Sequence, residues 1–229
     1  MENCKKSILK HLESITARGY SASTVFNDWL RLMLYAFLGN DDEYLKIVAR
    51  YRNDRPRGER EIDHFCFALA ELMKAMAETN DEILGELYMQ WGISNKCAGQ
   101  FFTPKHIAEC MAKIVGNDGE RVSDPSCGSG IMLVSQIKQM TNEQLDTATF
   151  CGQDLDLTCV MMCALNMLFF NVNAYVIWGN TLLMEKLRVF RTKRSYLGGE
   201  IYEIDIKSIP VQEAEIIKQS IQQALPLAA

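Results

Sequence analysis

The sequence has no C-x-x-C pair, only three histidines, only five prolines and no apolar run long enough to span a bilayer. Each shortage narrows the reading. Eight cysteines are present, but they are scattered (Cys4, Cys66, Cys97, Cys110, Cys127, Cys151, Cys159, Cys163) without zinc-ligand spacing, and no signal-peptide pattern opens the chain. Reduced thiols in a reducing, cytoplasmic compartment are therefore expected, rather than disulfides. Cys66, Cys159 and Cys163 lie among apolar neighbours on helix-like stretches and are expected to act as small core residues. No histidine sits in a metal-ligand pattern, so no metal is expected; His106, in the first turn of a helix, reads as a surface residue. The stretch from Leu157 to Val172 is 16 residues long and contains Asn166, too short and too polar for a membrane span. It reads as a buried helix. Positive charge is also in short supply: 24 Lys and Arg face 29 Asp and Glu, for a net charge of −5. Proteins that hold DNA by charge neutralise phosphates with Lys and Arg, so nucleic-acid contact here needs a local patch or a partner.

What is present divides the chain in two. Residues 1–92 contain one proline and show helical periodicity almost throughout, predicting an all-helical N-terminal subdomain. Helices are expected over Ser7–Arg18, after a Ser23 cap (apolar face Phe26, Leu30, Met33, Phe37), over Glu43–Tyr51 after Asp41 and Asp42, over Glu61–Glu78 and over Glu82–Trp91, with a polar loop at Arg52–Arg60. From 93 to 229 short strands alternate with helices. A loop over 92–100 leads to a helix capped by Thr103, with Pro104 at its first position. Strands are expected near Arg121–Ser123, Ala148–Gln153 and Tyr175–Trp178, with helices at Ile131–Met140 and 157–170. A further strand, Glu200–Ile206, and a final helix, Val211–Ala224, complete the reading. Such alternation predicts an α/β domain with a parallel sheet covered on both faces.

The sharpest signal is Asp124-Pro125-Ser126-Cys127-Gly128-Ser129-Gly130, between a predicted strand and a helix. Glycines there let the backbone turn tightly and approach a ligand, and a helix N-terminus after them favours an anionic group. Asp154 closes the next strand, 24 residues after Gly130, where nucleotide-binding α/β folds hold ribose hydroxyls. Asp156 is an alternative for that task.

Four elements in order then define a resemblance: Gly99-Gln100-Phe101-Phe102-Thr103-Pro104; Asp124 to Gly130; Gly152-Gln153-Asp154; and Gly179-Asn180-Thr181-Leu182. With the upstream segment Asp81 to Tyr88, the chain over roughly 80–185 resembles the N6-adenine DNA methylases, especially the modification subunits of type I restriction-modification systems. The resemblance implies a Rossmann-like S-adenosylmethionine-dependent methyltransferase domain, truncated, behind the helical subdomain. It implies S-adenosylmethionine as cofactor. Phe102, Thr103 and Pro104 would pack on it, with Thr103 at the methionine carboxylate. Asp124, Pro125, Ser126, Cys127, Gly128 and Gly130 would lie under the methionine and ribose. Asp154 would hold the ribose hydroxyls with Leu155 beside it, and Asn180 and Thr181 would border the adenine ring. Asn180 stands where the family usually has Asp, and its side-chain oxygen can still accept a hydrogen bond.

One family element has no counterpart. Members carry an Asn/Asp-Pro-Pro-aromatic motif that holds the target amino group and stacks on the flipped base. This sequence contains no Pro-Pro, and the stretch Tyr196–Ile209 supplies no substitute. No catalytic residue is therefore assigned. Three readings stay open: a cofactor-binding part that acts with a partner and does not methylate DNA alone, a split adenine methyltransferase completed by another chain, and a non-catalytic scaffold or decoy for a restriction-modification complex. DNA is a candidate partner, as is a restriction-modification or completing subunit; no membrane is expected. Two basic clusters, Lys186 to Arg194 and Arg50 to Arg60, are candidate phosphate contacts.

Overall fold

The structure, a computed structural model, describes residues 2–92, 102–116 and 121–208, together with 215 and 219. The chain forms two compact units, Met1–Phe101 and Phe102–Ala229. The first contains five helices: α1 (Glu2–Thr16), α2 (Ala22–Leu38), α3 (Asp41–Val48), α4 (Glu61–Thr79) and α5 (Leu84–Gln90). Ile8, Leu12, Ile15, Phe26, Trp29, Leu30 and Leu72 are fully buried and form its core. Trp29, too polar at its ring nitrogen to be buried unpaired, donates from Nε1 to the Phe65 carbonyl at 3.2 Å. Buried Asp28 is satisfied by Tyr51 (2.8 Å) and Arg50 (3.0 Å).

Several boundaries differ from expectation. Ser21, not Ser23, caps α2, accepting from the Thr24 N–H; two serines precede the apolar periodicity, and the first has the extended backbone a cap requires. Phe37, expected on the core face, is exposed. Helix α3 begins at Asp41 because Asn40 caps it through the Glu43 N–H, so Asp41 and Asp42 lie inside its first turn. Cys66, expected in the core, is exposed on α4, whereas Cys159 and Cys163 are buried.

The second unit contains α6 (Lys105–Val115), β1 (Arg121–Asp124), α7 (Ile131–Ile137), α8 (Asn142–Thr147), β2 (Thr149–Asp154), α9 (Leu157–Phe169), β3 (Ala174–Trp178), β4 (Arg188–Lys193) and β5 (Glu200–Ile204). The strands form one sheet in the order β1-β2-β3-β4-β5. β1, β2 and β3 run parallel, while β4 and β5 return antiparallel. The expected all-parallel sheet is therefore corrected to a mixed one. Strand β4, which was not expected, occupies most of the basic cluster Lys186 to Arg194. It tolerates those cations because they lie over rings: Arg188 over Phe190 (4.9 Å), Arg191 over Tyr175 (5.2 Å) and Lys193 over Tyr202 (5.3 Å). The short helix α8 was also missed, although Thr141 and Gln144 form a capping box at its start.

Helix α9 packs on β2, β3 and β4, and α7 on β1. Every residue of α9 from Cys159 to Leu168 is buried. The other sheet face gathers Cys151, Tyr175, Ile177 and Val189, with Ile204 and Ile206 against them. Helix α6 begins at Lys105 with Pro104 in the capping position and no side-chain cap, one residue later than expected; proline, lacking an N–H, loses nothing there. The expected final helix Val211–Ala224, most of the 92–100 loop, Cys97 and the Gly99-Gln100-Phe101 triplet lie outside the described residues. Among the described residues, no helix is long and apolar enough to cross a membrane.

Candidate functional site

The site forms where β1 and β2 end side by side, Asp124 in register with Gly152. Beyond Asp124 the chain must turn at once to enter α7. Asp124 starts the turn, its Oδ1 accepting the Ser126 N–H at 3.1 Å, a local bond Asp readily makes. The Cys127 N–H then donates to the Gln153 carbonyl at 2.9 Å, and Gly130 donates back to the Cys127 carbonyl at 2.8 Å. Gly128 and Gly130 adopt left-handed φ of 53° and 92°, which residues with a Cβ rarely adopt. Space is equally restrictive: a Cβ on Gly128 would lie 3.3 Å from the Phe102 ring, and one on Gly152 would meet Cys127 and Cys163 Sγ at 3.1 and 3.2 Å.

Asp154 fastens this loop to the end of β2. Its Oδ2 accepts the Gly128 N–H and its Oδ1 the Asp156 N–H, both at 2.9 Å. Asp156 is committed to capping α9 through the Thr158 N–H at 2.7 Å. The segment after β3 closes the third side. Thr181 donates its hydroxyl to the Pro125 carbonyl at 2.6 Å, linking it to the glycine loop. Asn180 accepts the Leu183 N–H at 3.2 Å through its side-chain oxygen, leaving that oxygen one further lone pair. Trp178, half-buried at the end of β3, donates from its indole to the Leu155 carbonyl at 3.0 Å. Leu155 is 67% exposed and Leu182 81% exposed, so this rim carries apolar surface open to a ligand.

The structure thus brings Phe102, Asp124, Pro125, Cys127, Gly128, Asp154 and Thr181 into one connected arrangement. Ser126 and Gly130 complete its turn. Thr103 is half-buried and Pro104 exposed just beyond Phe102. His106 is exposed. Two residues for which no site role was expected hold the arrangement together. Gln153, buried, donates from Nε2 to the Glu185 carbonyl at 3.0 Å, and Asn166 reaches the loop from α9. Gln153 is the middle residue of the Gly152-Gln153-Asp154 element and was legible from it; Trp178 was legible as an aromatic at a strand end.

Charge at the site is negative. Burial, and to a smaller degree the Asp154 charge, raises the Asp124 pKa above the usual carboxylate range, against the Ser126 N–H bond that lowers it. Cys127 is held protonated by its contact with the Cys163 thiol and by burial, and burial pushes Cys151 up to about 12. These thiols are neutral packing groups, not nucleophiles. Among the described residues, no group of three or more His, Cys, Asp or Glu could hold a metal. Chemically, the site presents carboxylates, a tight backbone loop and an apolar rim, which suit binding of a polar ligand with a flat apolar part.

The basic cluster is tied into the fold. Arg188 makes a two-pronged pair with Glu203 (2.6 and 2.8 Å). Arg194 bonds Asp146, Asn142 and the Asn171 carbonyl.

Comparison with known proteins fits the geometry. The family described as N-6 DNA Methylase matches residues 79–196, just over half of the 229. The chain belongs to the N-6 DNA methylase family. It is 33% identical over 95 residues to the type I restriction enzyme MpnII methylase subunit of Mycoplasma pneumoniae, covering 40% of this chain and 17% of that protein. It is 35% identical over 89 residues to the type II restriction enzyme and methyltransferase RM.BcgI of Heyndrickxia coagulans, covering 36% and 14% respectively. The chain thus spans less than a fifth of either relative. A crystal structure of a type I restriction-modification methyltransferase subunit from Streptococcus thermophilus matches 72% of this chain and 36% of that one, at 18% identity and a TM-score of 0.32. The family match falls mainly on the second unit, a Rossmann-like α/β domain in which two antiparallel strands follow the parallel set.

Proposed function

We propose that this chain binds S-adenosylmethionine across the carboxyl ends of β1 and β2, as the cofactor-binding part of an adenine-N6 DNA methyltransferase that works with another chain. The observation that carries the reading is the fastening of Gly128 to Asp154. It leaves each carboxylate oxygen a further lone pair, enough to accept two vicinal ribose hydroxyls. Open α/β sheets bind their ligands outside the carboxyl ends of the strands. The glycine loop backbone lies under the methionine portion, Thr103 is the candidate for its carboxylate, and Leu155, Asn180 and Thr181 border the adenine. Phe102 packs its ring against Gly128, where an added Cβ would stand 3.3 Å from it, so the ring flanks the glycine loop as a wall for the cofactor. The bound cofactor supplies an activated methyl group; the residues of this chain bind and orient it.

The requirement for a partner rests on two features. The sequence has no Pro-Pro with which to hold a flipped adenine. Among the described residues β1 has a strand neighbour on one side only, β2, so its other edge is where a strand of another chain could add. The relatives named above are described as a methylase subunit and as a combined restriction enzyme and methyltransferase. DNA is the proposed acceptor, held mainly by the partner, since the cations of β4 are engaged within the fold. The test is incubation of the purified chain with methyl-labelled S-adenosylmethionine and DNA. The protein is expected to retain label in competition with S-adenosylhomocysteine while the DNA stays unlabelled. Methylated adenine made by the chain alone contradicts the partner requirement, and label displaced by NAD but not by S-adenosylhomocysteine contradicts the cofactor.

A further inference from the structure

Helix α9 reads Leu-Thr-Cys-Val-Met-Met-Cys-Ala-Leu-Asn-Met-Leu-Phe, and Asn166 stands fully buried among apolar neighbours. An amide is costly to bury without hydrogen bonds, and a leucine of similar shape would fill the place without that cost. The amide at this position has a definite target. Its Nδ2 donates to the Ser129 carbonyl at 2.8 Å, across 37 residues of sequence, in the middle of the glycine loop. The peptide linking Ser129 to Gly130 is thereby held at both ends, because its Gly130 N–H donates to the Cys127 carbonyl at 2.8 Å.

The same face of α9 sets the depth of the loop. Cys163, one turn before Asn166, lies so close that a Cβ on Gly130 would be 3.0 Å from its Sγ and 3.5 Å from its Cα. Three consecutive loop residues are thus anchored to two different elements: Cys127 and Gly128 to β2, and Ser129 to α9. The β2 anchors are a strand carbonyl and the Asp154 carboxylate; Asn166 contributes the anchor from the helix.

We infer that Asn166 is a positioning residue for the cofactor loop, an inference that rests on the cofactor reading above. It touches no reacting atom. It fixes the Ser129–Gly130 peptide so that the backbone under the cofactor is preformed, and an unheld loop lowers affinity by populating other shapes.

The test is Asn166→Leu, with Asn166→Ala carrying the same test should the leucine variant fail to fold. Three quantities are read: the midpoint of thermal unfolding without ligand, the Kd for S-adenosylmethionine and for S-adenosylhomocysteine, and hydrogen exchange of the 127–130 backbone amides without ligand. The expected result is a midpoint a few degrees below wild type, because the buried Ser129 carbonyl loses its donor, with Kd values at least tenfold weaker for both ligands and faster exchange confined to the loop. Unchanged affinity overturns the inference, as does affinity lost together with a large fall in midpoint and exchange accelerated throughout, which marks a merely structural residue. Should the wild type bind neither ligand, the cofactor reading fails, and loop exchange alone then decides: unchanged exchange in the variant overturns the positioning role, and acceleration confined to 127–130 upholds it.

Discussion

Replacing Asp154 with alanine removes two fastenings and the proposed ribose contact in one step, and the sizes of the two effects can be separated. Its carboxylate accepts the Gly128 and Asp156 N–H groups, both at 2.9 Å. Hydrogen bonds to a charged acceptor contribute about 1.5–3 kcal/mol each. Asp154 is half-buried, so the lower end applies, and the pair stabilises the domain by about 3 kcal/mol. At about 3 °C per kcal/mol for a domain of this size, the unfolding midpoint should fall by roughly 9 °C. Loss of the proposed ribose acceptor should remove a further 2 kcal/mol or so from binding, roughly a 30-fold rise in Kd. Asp154→Asn keeps the shape and one acceptor oxygen but turns an amide toward one of the backbone donors, so it should fall between alanine and wild type in both respects. Differential scanning fluorimetry and calorimetric titration measure the two quantities. An alanine variant that melts with the wild type and binds equally well refutes the reasoning. A lowered midpoint with unchanged affinity confines Asp154 to holding the loop.

Other perturbations test neighbouring parts of the account. The folded-state pKa of Asp124 is raised, chiefly by burial, so the folded chain holds that proton more tightly than the unfolded one and ionised Asp124 lowers stability at neutral pH. Asn at 124 should therefore raise the unfolding midpoint at pH 7, with the gain shrinking as pH falls toward the ordinary carboxylate range, while weakening cofactor binding; a variant less stable than wild type at pH 7 contradicts this. Gly179→Ala would place a Cβ 2.2 Å from the Glu185 carbonyl oxygen, forcing the 180–187 segment to move; both midpoint and affinity should fall, and a variant indistinguishable from wild type shows that the segment is slack. In the helical unit, the His64 and His11 Nδ1 atoms lie 3.4 Å apart, and His64 is shifted below its ordinary range by burial, then by His11 and Arg18, against Asp63 and Glu61. A histidine with a lowered folded pKa costs stability as pH falls through its ordinary value of about 6.5, so His64→Asn should flatten the fall in midpoint between pH 7 and 5. Parallel profiles for variant and wild type would remove His64 as the cause.

How much was legible in the sequence differs between the two kinds of signal. The glycine loop could be read because its chemistry is local: Asp124 makes its own turn, and Gly128 and Gly130 are needed where the backbone takes left-handed φ. The helices of the first unit were legible from apolar periodicity, but their starts were not, since Ser21 and Ser23 are equally good caps until the backbone chooses one. Strand β4 was hidden because Arg188, Arg191 and Lys193 suggest solvent, and only the tertiary arrangement supplies the rings they lie over. The mixed sheet was missed with it, since β4 supplies the reversal of direction. Asn166 was read only as a polar residue arguing against a membrane span, because its partner, the Ser129 carbonyl, is distant in sequence. Asp154 was read as a ligand contact alone; its second task, fastening Gly128, depends on two strand ends meeting.

The central claim, that the chain holds a live S-adenosylmethionine site, is tested most directly by calorimetric titration of the purified protein with S-adenosylmethionine and, separately, S-adenosylhomocysteine. The account predicts one site per chain and micromolar Kd values for both ligands. No detectable binding of either at millimolar concentration would contradict it, and would mean that the loop, Asp154 and their hydrogen bonds are architecture without a ligand.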